Sequence, residues 1–570
     1  MPATALIEYP FDFIDRAALR SGLAHDQRTP IGIVGGGVAG LTAALALSAH
    51  GIRCTVLEAD RTVCFGSRAI CFSRRSLEIF QRYGIAEDIM KVALPWTAGR
   101  SFYRDTEVLH FFMPHDENQK FAPMVNLEQY RLEEILVQEL ERRDDLVDLR
   151  WGCRVTELQQ GNESIRLELK DDDGTSTLDC DWLIACDGGR SFVREKLGLA
   201  LQGTAYEGRY VVVDIVLKSK RPTERLAWFD PPSNPGSTIL MHKQPDDIWR
   251  IDYQLPDGQD EREAVKPENV MPLVEAHLKM IGEDGPWSPI WISLYKANAL
   301  SLERYRHGRI LFAGDAAHLV PIFGVRGANS TIDDTDNLAW KLAAVIHGQA
   351  KSSLLDSYSS ERRFAAGENL KRGMKSTEFM APPSFAFRLM RKAVLNLAID
   401  HPSVRSLINP RQSSAICYTD SPLNAKHGSE HQFSAGPCAG ETLHSYLLEQ
   451  ISADGKRQSI FLTDVMRAGR FSLIRFGAAA FEPIDRQALS IAYPVEVVDV
   501  LQNEDKAAPG QACLIDTSGR VHAGYDVGQG AFYLVRPDGH VLGRWRSISA
   551  AELASAMADA LYGIGAEVNV

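Results

Sequence analysis

Apolar positions along this chain follow two periods, and the changes between them mark out its elements. Ile31-Gly32-Ile33-Val34 is a short apolar run that predicts a buried strand, and it leads straight into Gly35-Gly36-Gly37-Val38-Ala39-Gly40. An Ala- and Leu-rich stretch over 41–50 predicts a buried helix closed by Gly51, and residues 54–58 supply a second strand that completes a βαβ unit. Leu132, Ile135, Leu136 and Leu140 recur at helical spacing within 127–143, and a strand-rich stretch follows through Glu157, Ile165 and Leu167. Two more buried strands are predicted at 182–186 and 309–313. Each ends at a turn of Gly and Asp, Asp187-Gly188 in the first case and Gly314-Asp315 in the second.

From 204 the pattern becomes that of alternating strands, at 210–217, 238–243 and 248–255, with a turn at 244–247. A helix over 267–281 interrupts before a strand at 291–295. In 248–255 one face carries Trp249, Ile251, Tyr253 and Leu255, and the other Ile248, Arg250, Asp252 and Gln254. The apolar face has a natural partner in the 267–281 helix. Helical patterning returns at 337–347 and 354–363, a Pro-, Gly- and Ser-rich stretch follows 421, and a smaller α/β region closes with a helix over 549–562.

The fold class is therefore α/β: a Rossmann-like βαβ domain, an inserted antiparallel sheet and a separate C-terminal domain. The boundaries read as an N-terminal extension at 1–28, the nucleotide-binding domain at 29–203 and 296–400, the inserted sheet at 204–295, a linker at 401–425 and the C-terminal domain at 426–570. A chain of 570 residues is too long for a single core, which agrees with this division.

The phosphate chemistry lies in Gly35-x-Gly37-x-x-Gly40, placed between strand and helix with Glu58 eighteen positions further on. Gly35 permits the tight turn, Gly37 lets a pyrophosphate approach the backbone, and Gly40 allows close packing of helix on strand. The helix N-terminus offers N–H groups to the phosphates. Glu58 suits a ribose 2′-hydroxyl and disfavours a 2′-phosphate, so the dinucleotide is expected to be FAD or NAD-like.

Charge and composition narrow the partners. The net charge of -12 gives no general attraction for nucleic acid or acidic membranes. No segment approaches the ~18 uncharged apolar residues of a spanning helix. Nine cysteines without a C-x-x-C pair argue against a zinc ribbon or disulfide framework and for a reducing cytoplasm. Glu8, Asp12, Asp15 and Arg16 interrupt any secretory leader. The expectation is a cytoplasmic protein, with a homodimer as the candidate assembly and no metal, nucleic acid or membrane partner.

The order of Gly35-x-Gly37-x-x-Gly40 with Glu58, then Asp187-Gly188 with Arg190-Ser191 and Val193-Arg194, then Gly314-Asp315-Ala316-Ala317-His318, resembles the FAD-dependent aromatic hydroxylases. These are single-component flavoprotein monooxygenases with the p-hydroxybenzoate hydroxylase fold. The resemblance covers about 28–400, and the tail, clearest at 531–540, looks like the thioredoxin-like C-terminal domain of the phenol hydroxylase and 3-(3-hydroxyphenyl)propionate hydroxylase branch. It implies that Gly35, Gly37, Val38, Ala39, Gly40 and Glu58 bind the ADP half of a non-covalent FAD. Arg68 and Gln129 would meet the pyrophosphate and ribityl chain, Val155 and Asp187-Gly188 would join the cofactor site, and Gly314-Asp315 would hold the ribityl hydroxyls. Pro321 would border the flavin ring, with Gly324, Gly327, Ala328 and Asn329 in the loop beside its pyrimidine side.

Two departures stand out: the family's Gly-Gln-Gly reads Val325-Arg326-Gly327, and a second proline reads Ile322. Arg326 has two readings, beside the flavin, where it would raise the ring's potential or bind an anionic substrate group, or pointing outward to solvent, which is the favoured one; His318 is read as a packed structural residue. On the inserted sheet the polar face of 248–255, joined by His242, would look toward the flavin, which makes His242 and Arg250 the substrate candidates. The implied activity is hydroxylation of a phenolic substrate with O2 and a transiently bound NAD(P)H, through a flavin C4a-hydroperoxide. The alternatives are a Baeyer–Villiger or epoxidising flavoprotein acting on a polyketide, or a non-catalytic flavin-binding sensor or assembly protein. A flavin halogenase needs W-x-W-x-I-P, which Trp249-Arg250-Ile251-Asp252 does not supply.

Overall fold

The computed structural model describes residues 4–6, 11–19, 27–66, 68–256, 258–408, 412–477, 493–502, 512–528 and 530–563, which leaves half of the 1–28 extension outside the described residues. The predicted βαβ unit lies at the centre of one sheet. Arg28–Val34 runs parallel between Cys54–Glu58 and Gly174–Ala185, with Val147–Trp151 beyond the former and Ile310–Phe312 on the far side of the latter. Parallel strands covered on both faces need apolar side chains at every position, which is why these segments read as unbroken apolar runs. The helix Val38–Ala49 is buried at every residue except its last.

The second sheet runs in the order Trp287–Ser301, Gln202–Leu217, Ile248–Gln254, Thr238–Lys243, Arg225–Phe229, Ala98–Tyr103 and Thr106–Phe112. Thr238–Lys243 and Ile248–Gln254 form a hairpin whose turn residues Asp246 and Asp247 both have φ near +57°, as a two-residue hairpin loop requires. Trp249, Ile251, Tyr253 and Leu255 share one core with Val270, Val274 and Leu278 of the Pro267–Met280 helix, the partnership the alternation predicts. The last two strands are an addition to the expected insert. They come from within 29–203, and Ala98–Tyr103 pairs in parallel with Arg225–Phe229. Their alternation is masked by Gly99 and by a register shift at Ser101/Phe102.

Two helices are longer than predicted, at Gly327–Ile346 and Leu354–Met380. The opening of the first is Gly-Ala-Asn-Ser-Thr-Ile-Asp-Asp, poor in helix formers, and tertiary contacts described below override that propensity. The helix Phe385–Asp400 then packs Val394, Leu395 and Ala398 against the second sheet. The C-terminal region holds a seven-stranded mixed sheet and the helix Ala550–Tyr562, capped by Ser549 and Glu552 as a capping box. The 401–425 stretch is not a loose tether where it is described: Tyr418 is 2% exposed and stacks on His540. Among the described residues no helix is long and apolar enough to cross a membrane.

Candidate active site

The first Gly-rich turn is fixed by three close approaches. A Cβ on Gly35, whose φ is +105°, would lie 2.4 Å from Cys186 O, one on Gly40 1.8 Å from Gly35 O, and one on Gly36 2.8 Å from Glu58 Cβ. Gly37 differs: a Cβ there would meet only Glu133 Oε1 at 3.6 Å, and Gly37 caps the helix Val38–Ala49 with no side-chain hydrogen bond. The turn is therefore bare of side chains at the point where helix N–H groups emerge, which fits a pyrophosphate. Glu58 accepts from Gly36 N at 2.5 Å and Asp60 N at 2.7 Å, and burial raises its carboxyl above the usual range. Val38 and Ala39 open the helix. Val155 is buried in the core two residues after Cys153, whose N–H bonds Glu58 O.

A second wall comes from the helix Gln129–Glu141. Gln129 accepts from Ala69 N at 3.1 Å and donates to Glu133 at 2.8 Å, while Glu133 accepts from Cys64 N at 2.7 Å. These bonds fix the 64–69 loop that carries Arg68, an exposed side chain. Opposite lie the two Gly/Asp turns. Asp187 accepts from Val193 N at 3.0 Å, yet its other oxygen, Oδ1, is buried without a hydrogen-bond partner among the described residues, and desolvation raises its carboxyl. Gly188 and Gly314 adopt φ of +77° and +62°. Solvent reaches Asp315, but the surrounding walls are dense enough that desolvation pushes its carboxyl up, against the pull of His318 and Arg68. An orphaned carboxylate oxygen, a bare glycine turn and uncapped helix ends are what an FAD molecule would satisfy.

The Gly314-Asp315 turn is anchored from behind. Asp334 accepts from Gly314 N at 3.0 Å and from His318 Nε2 at 2.7 Å, so His318 is the packed residue expected. Pro321 is buried against Gly373, and the chain then passes through Gly324 at φ +93° and Val325 at +52°. A β-branched residue in the left-handed region is strained, and the strain sits where the resembling family has glycine. Gly327 and Ala328 open the Gly327–Ile346 helix, which has no side-chain cap, and Asn329 ties its first turn to Ser73 and Ser76. The reading of Arg326 is corrected here. Its side chain is 1% exposed and donates to Asn369 Oδ1 and Gln412 O, both at 3.3 Å. The outward path is closed because the 412–418 segment covers it, and burial lowers its pKa to about 10.

The inner face of the second sheet completes the site. Register places Arg225, His242, Arg250, Asp214 and Trp291 in one row across five strands. This face meets the nucleotide-binding domain through Arg250 Nη1 to Arg68 O at 3.0 Å and Tyr295 Oη to Val320 O at 3.2 Å. Arg250 is already matched, with two bonds to Asp214 at 2.8 and 3.0 Å. His242 is buried and held neutral, and its Nδ1 has no hydrogen-bond partner among the described residues. Arg225 is 5% exposed and donates to Gln412 Oε1 at 2.6 Å, with no carboxylate in ion-pair distance among the described residues. It lines a cavity with Ala227, Phe229, Leu240, Phe111 and Met380.

Asp252 lies beside this row, with Oδ1 unpartnered among the described residues and its carboxyl pushed from 3.8 to about 7 by burial and Asp214, against Arg250 and Arg225. A raised carboxyl binds more protons folded than unfolded between about pH 4 and 7, so its contribution to stability falls as pH rises through that window. Urea titrations at about pH 5 and about pH 7.5 are expected to show Asp252→Asn gaining stability relative to wild type at the higher pH.

The family description "FAD binding domain" matches residues 28–372. The chain belongs to this FAD-binding family. The 3-(3-hydroxy-phenyl)propionate/3-hydroxycinnamic acid hydroxylase of Klebsiella pneumoniae subsp. pneumoniae is 28% identical over 528 residues, covering 90% of this chain and 91% of the relative. Its counterpart in Mycolicibacterium smegmatis is 25% identical over 542 residues, covering 93% and 92%. The flavin-dependent monooxygenase PieE, solved with FAD and substrate, superimposes with a TM-score of 0.78 at 25% identity, covering 94% of this chain and all of that one. Aklavinone-11 hydroxylase shares the fold, with a TM-score of 0.70 at 24% identity over 94% of this chain and all of the other. The two relatives are named as hydroxylases and the two neighbours were solved with FAD, and the chain is an enzyme of this FAD-binding family. Within this FAD-binding family the sequence reading missed Glu133, Asp334, Arg225 and Gln412. Glu133 and Asp334 carried a signal, a carboxylate among residues that the helical period places on a buried face; Arg225 and Gln412 stand in stretches without a motif.

Proposed function

We propose that this enzyme hydroxylates a phenol bearing an anionic side arm, with FAD held non-covalently and NAD(P)H as a transient reductant. The observation that carries the reading is Arg225: a buried cation on the cavity wall whose hydrogen-bond partner is a neutral amide. An isolated buried charge is costly, and a substrate carboxylate would offset that cost with charge-assisted hydrogen bonds. The relatives named above act, by their names, on phenolic acids, which supports the same chemistry here. His242, neutral and with no partner for Nδ1 among the described residues, would accept a hydrogen bond from a phenol hydroxyl on the same sheet face.

FAD, when bound, supplies the oxygen-activating chemistry with electrons from NAD(P)H. The chain's own residues do the rest. Gly37 and the Val38 helix end hold phosphates, Asp187 and Asp315 take ribose and ribityl hydroxyls, and the Gly327 helix end faces the ring with N–H donors. Arg250 ties the substrate sheet to the Arg68 loop, and Phe229, Leu240 and Met380 supply the apolar share of a small cavity that Arg100, Ser101 and Arg225 also line. The sequence holds a single G-x-G-x-x-G fingerprint, so NAD(P)H has no domain of its own and binds only in passing. All nine cysteines are free thiols, which supports a cytoplasmic setting.

The test pairs phenols that differ only in the side arm, carboxylate against amide, in assays of NAD(P)H oxidation, O2 uptake and product mass. The carboxylated member is expected to give a product one oxygen heavier and the higher kcat/KM, by about tenfold or more. Equal turnover of both would remove the anionic arm from the proposal, and no oxygenated product from any phenol would remove the activity.

A further inference from the structure

The C-terminal domain reaches the flavin site through buried charge. Its strands Gly530–Val535 and Val541–Trp545 are joined by Arg536-Pro537-Asp538-Gly539-His540, in which Arg536 and Asp538 are 0% and 1% exposed. Arg536 grips Glu361 of the Leu354–Met380 helix with bonds of 2.6 and 3.0 Å, and its own Asp538 with bonds of 3.0 and 2.5 Å. Asp538 accepts from Trp340 Nε1 at 3.0 Å and Asn337 Nδ2 at 3.2 Å, both on the Gly327–Ile346 helix. Lys341 of that helix donates to Glu361 at 2.7 Å. On the other flank Arg75 donates to the Asp538 carbonyl at 2.7 Å and to Asp333 at 3.1 Å. Thus the hairpin is bonded to, or shares partners with, residues 333, 337, 340 and 341 of one helix.

That helix is not a neutral support. Its first residues, Gly327 and Ala328, are those that approach the flavin ring in the proposed site, and its Asp334 holds the Gly314-Asp315 turn. Asp334 also accepts from Arg362 Nε at 2.6 Å, and Arg362 donates to Tyr418 Oη at 2.5 Å, with the Tyr418 ring stacked on His540 at 4.4 Å. Two buried routes therefore run from the hairpin to the cofactor turns, one through Glu361 and Lys341, the other through Tyr418, Arg362 and Asp334. A buried ion network is a poor source of net stability but a strong constraint on geometry, because any displacement leaves charges unpaired.

We propose that the Arg536–His540 hairpin is a positioning element for FAD: by clamping the Gly327–Ile346 helix it sets where the flavin loop and the Gly314-Asp315 turn stand. The inference rests on FAD binding and is independent of which phenol the enzyme takes. It gives the C-terminal domain a part in cofactor retention, beyond the structural or oligomerisation role that a domain without redox cysteines suggests.

The control lies in the same sheet. Arg475 forms a buried two-bond pair with Asp499, at 2.5 and 2.8 Å, opposite Phe532 and so three residues short of the end of the hairpin's strand at Val535. FAD release from diluted holoenzyme, followed by flavin fluorescence, and the visible flavin spectrum would be compared for Arg536→Met, Arg475→Met and Tyr418→Phe. Arg536→Met is expected to weaken FAD retention about fivefold or more and to shift the flavin band, and Arg475→Met to leave both unchanged while lowering the thermal midpoint. Tyr418→Phe removes one hydroxyl and keeps the ring, so it answers even where Arg536→Met fails to fold, with an expected loss of about threefold. Retention within about twofold of wild type in Tyr418→Phe, or an equal loss in Arg475→Met, would overturn the proposal.

Discussion

Arg225→Met is expected to raise KM for a carboxylated phenol by about ten- to hundredfold, from the loss of a charge-assisted interaction of about 1.5–3 kcal/mol, while a neutral analogue keeps its KM. Methionine retains much of the arginine's length and apolar stem, so the cavity wall formed with Ala227 and Leu240 stays filled. The same substitution separates recognition from structure. Arg225 is desolvated, which lowers its pKa, and no carboxylate lies in ion-pair distance among the described residues. Removing it then takes away a buried cation and one bond to Gln412, so the thermal midpoint of the substrate-free enzyme is expected to hold or rise. A structural arginine would behave oppositely, with a falling midpoint and equal loss for both substrates. Steady-state kinetics on the matched pair, together with the melting curve, distinguish the two.

How far the chain could be read from its residues follows from the kind of interaction each element uses. The βαβ unit was legible because parallel strands buried on both faces write themselves as apolar runs, and because a Cβ at Gly35 or Gly40 would lie 2.4 or 1.8 Å from a backbone oxygen, which only glycine avoids. The 248–255 strand was equally legible, since its two faces meet a helix and a polar cleft. What failed to show were features made by distant partners. Arg326 looked like a surface residue in its local context, and only the 412–418 segment, some ninety positions on, closes over it. Ala98–Tyr103 joins the inserted sheet by a parallel pairing across more than a hundred residues. Arg225 carries no motif at all: its meaning comes from register, which sets it beside His242, and from the lack, among the described residues, of a carboxylate within ion-pair distance.

Asp315→Ala is expected to weaken FAD binding by about ten- to hundredfold, the largest loss of any single cofactor-site side chain argued here. The carboxylate ends the Ile310–Phe312 strand on a turn that Asp334 pins from behind, so its position is defined before any ligand arrives. Desolvation raises its carboxyl, and no protein group donates a hydrogen bond to it among the described residues. Hydroxyl donors from a ribityl chain would therefore be its strongest partners, and an alanine offers them nothing. Arg326→Gln provides the contrast. Its guanidinium is turned to Asn369 and the Gln412 carbonyl, away from the cleft that Asp315 faces, so the loss is expected to stay within about threefold. Asp315→Asn keeps one acceptor oxygen without the charge and should fall between them. Because no donor among the described residues bonds Asp315, its removal strands none of them, and the folded apoprotein remains available for titration with FAD. Dissociation constants from flavin fluorescence quenching in the order Asp315→Ala, Asp315→Asn, Arg326→Gln, weakest binding first, would support the assignment; the reverse order would transfer the ribityl contact from Asp315 to the flavin loop.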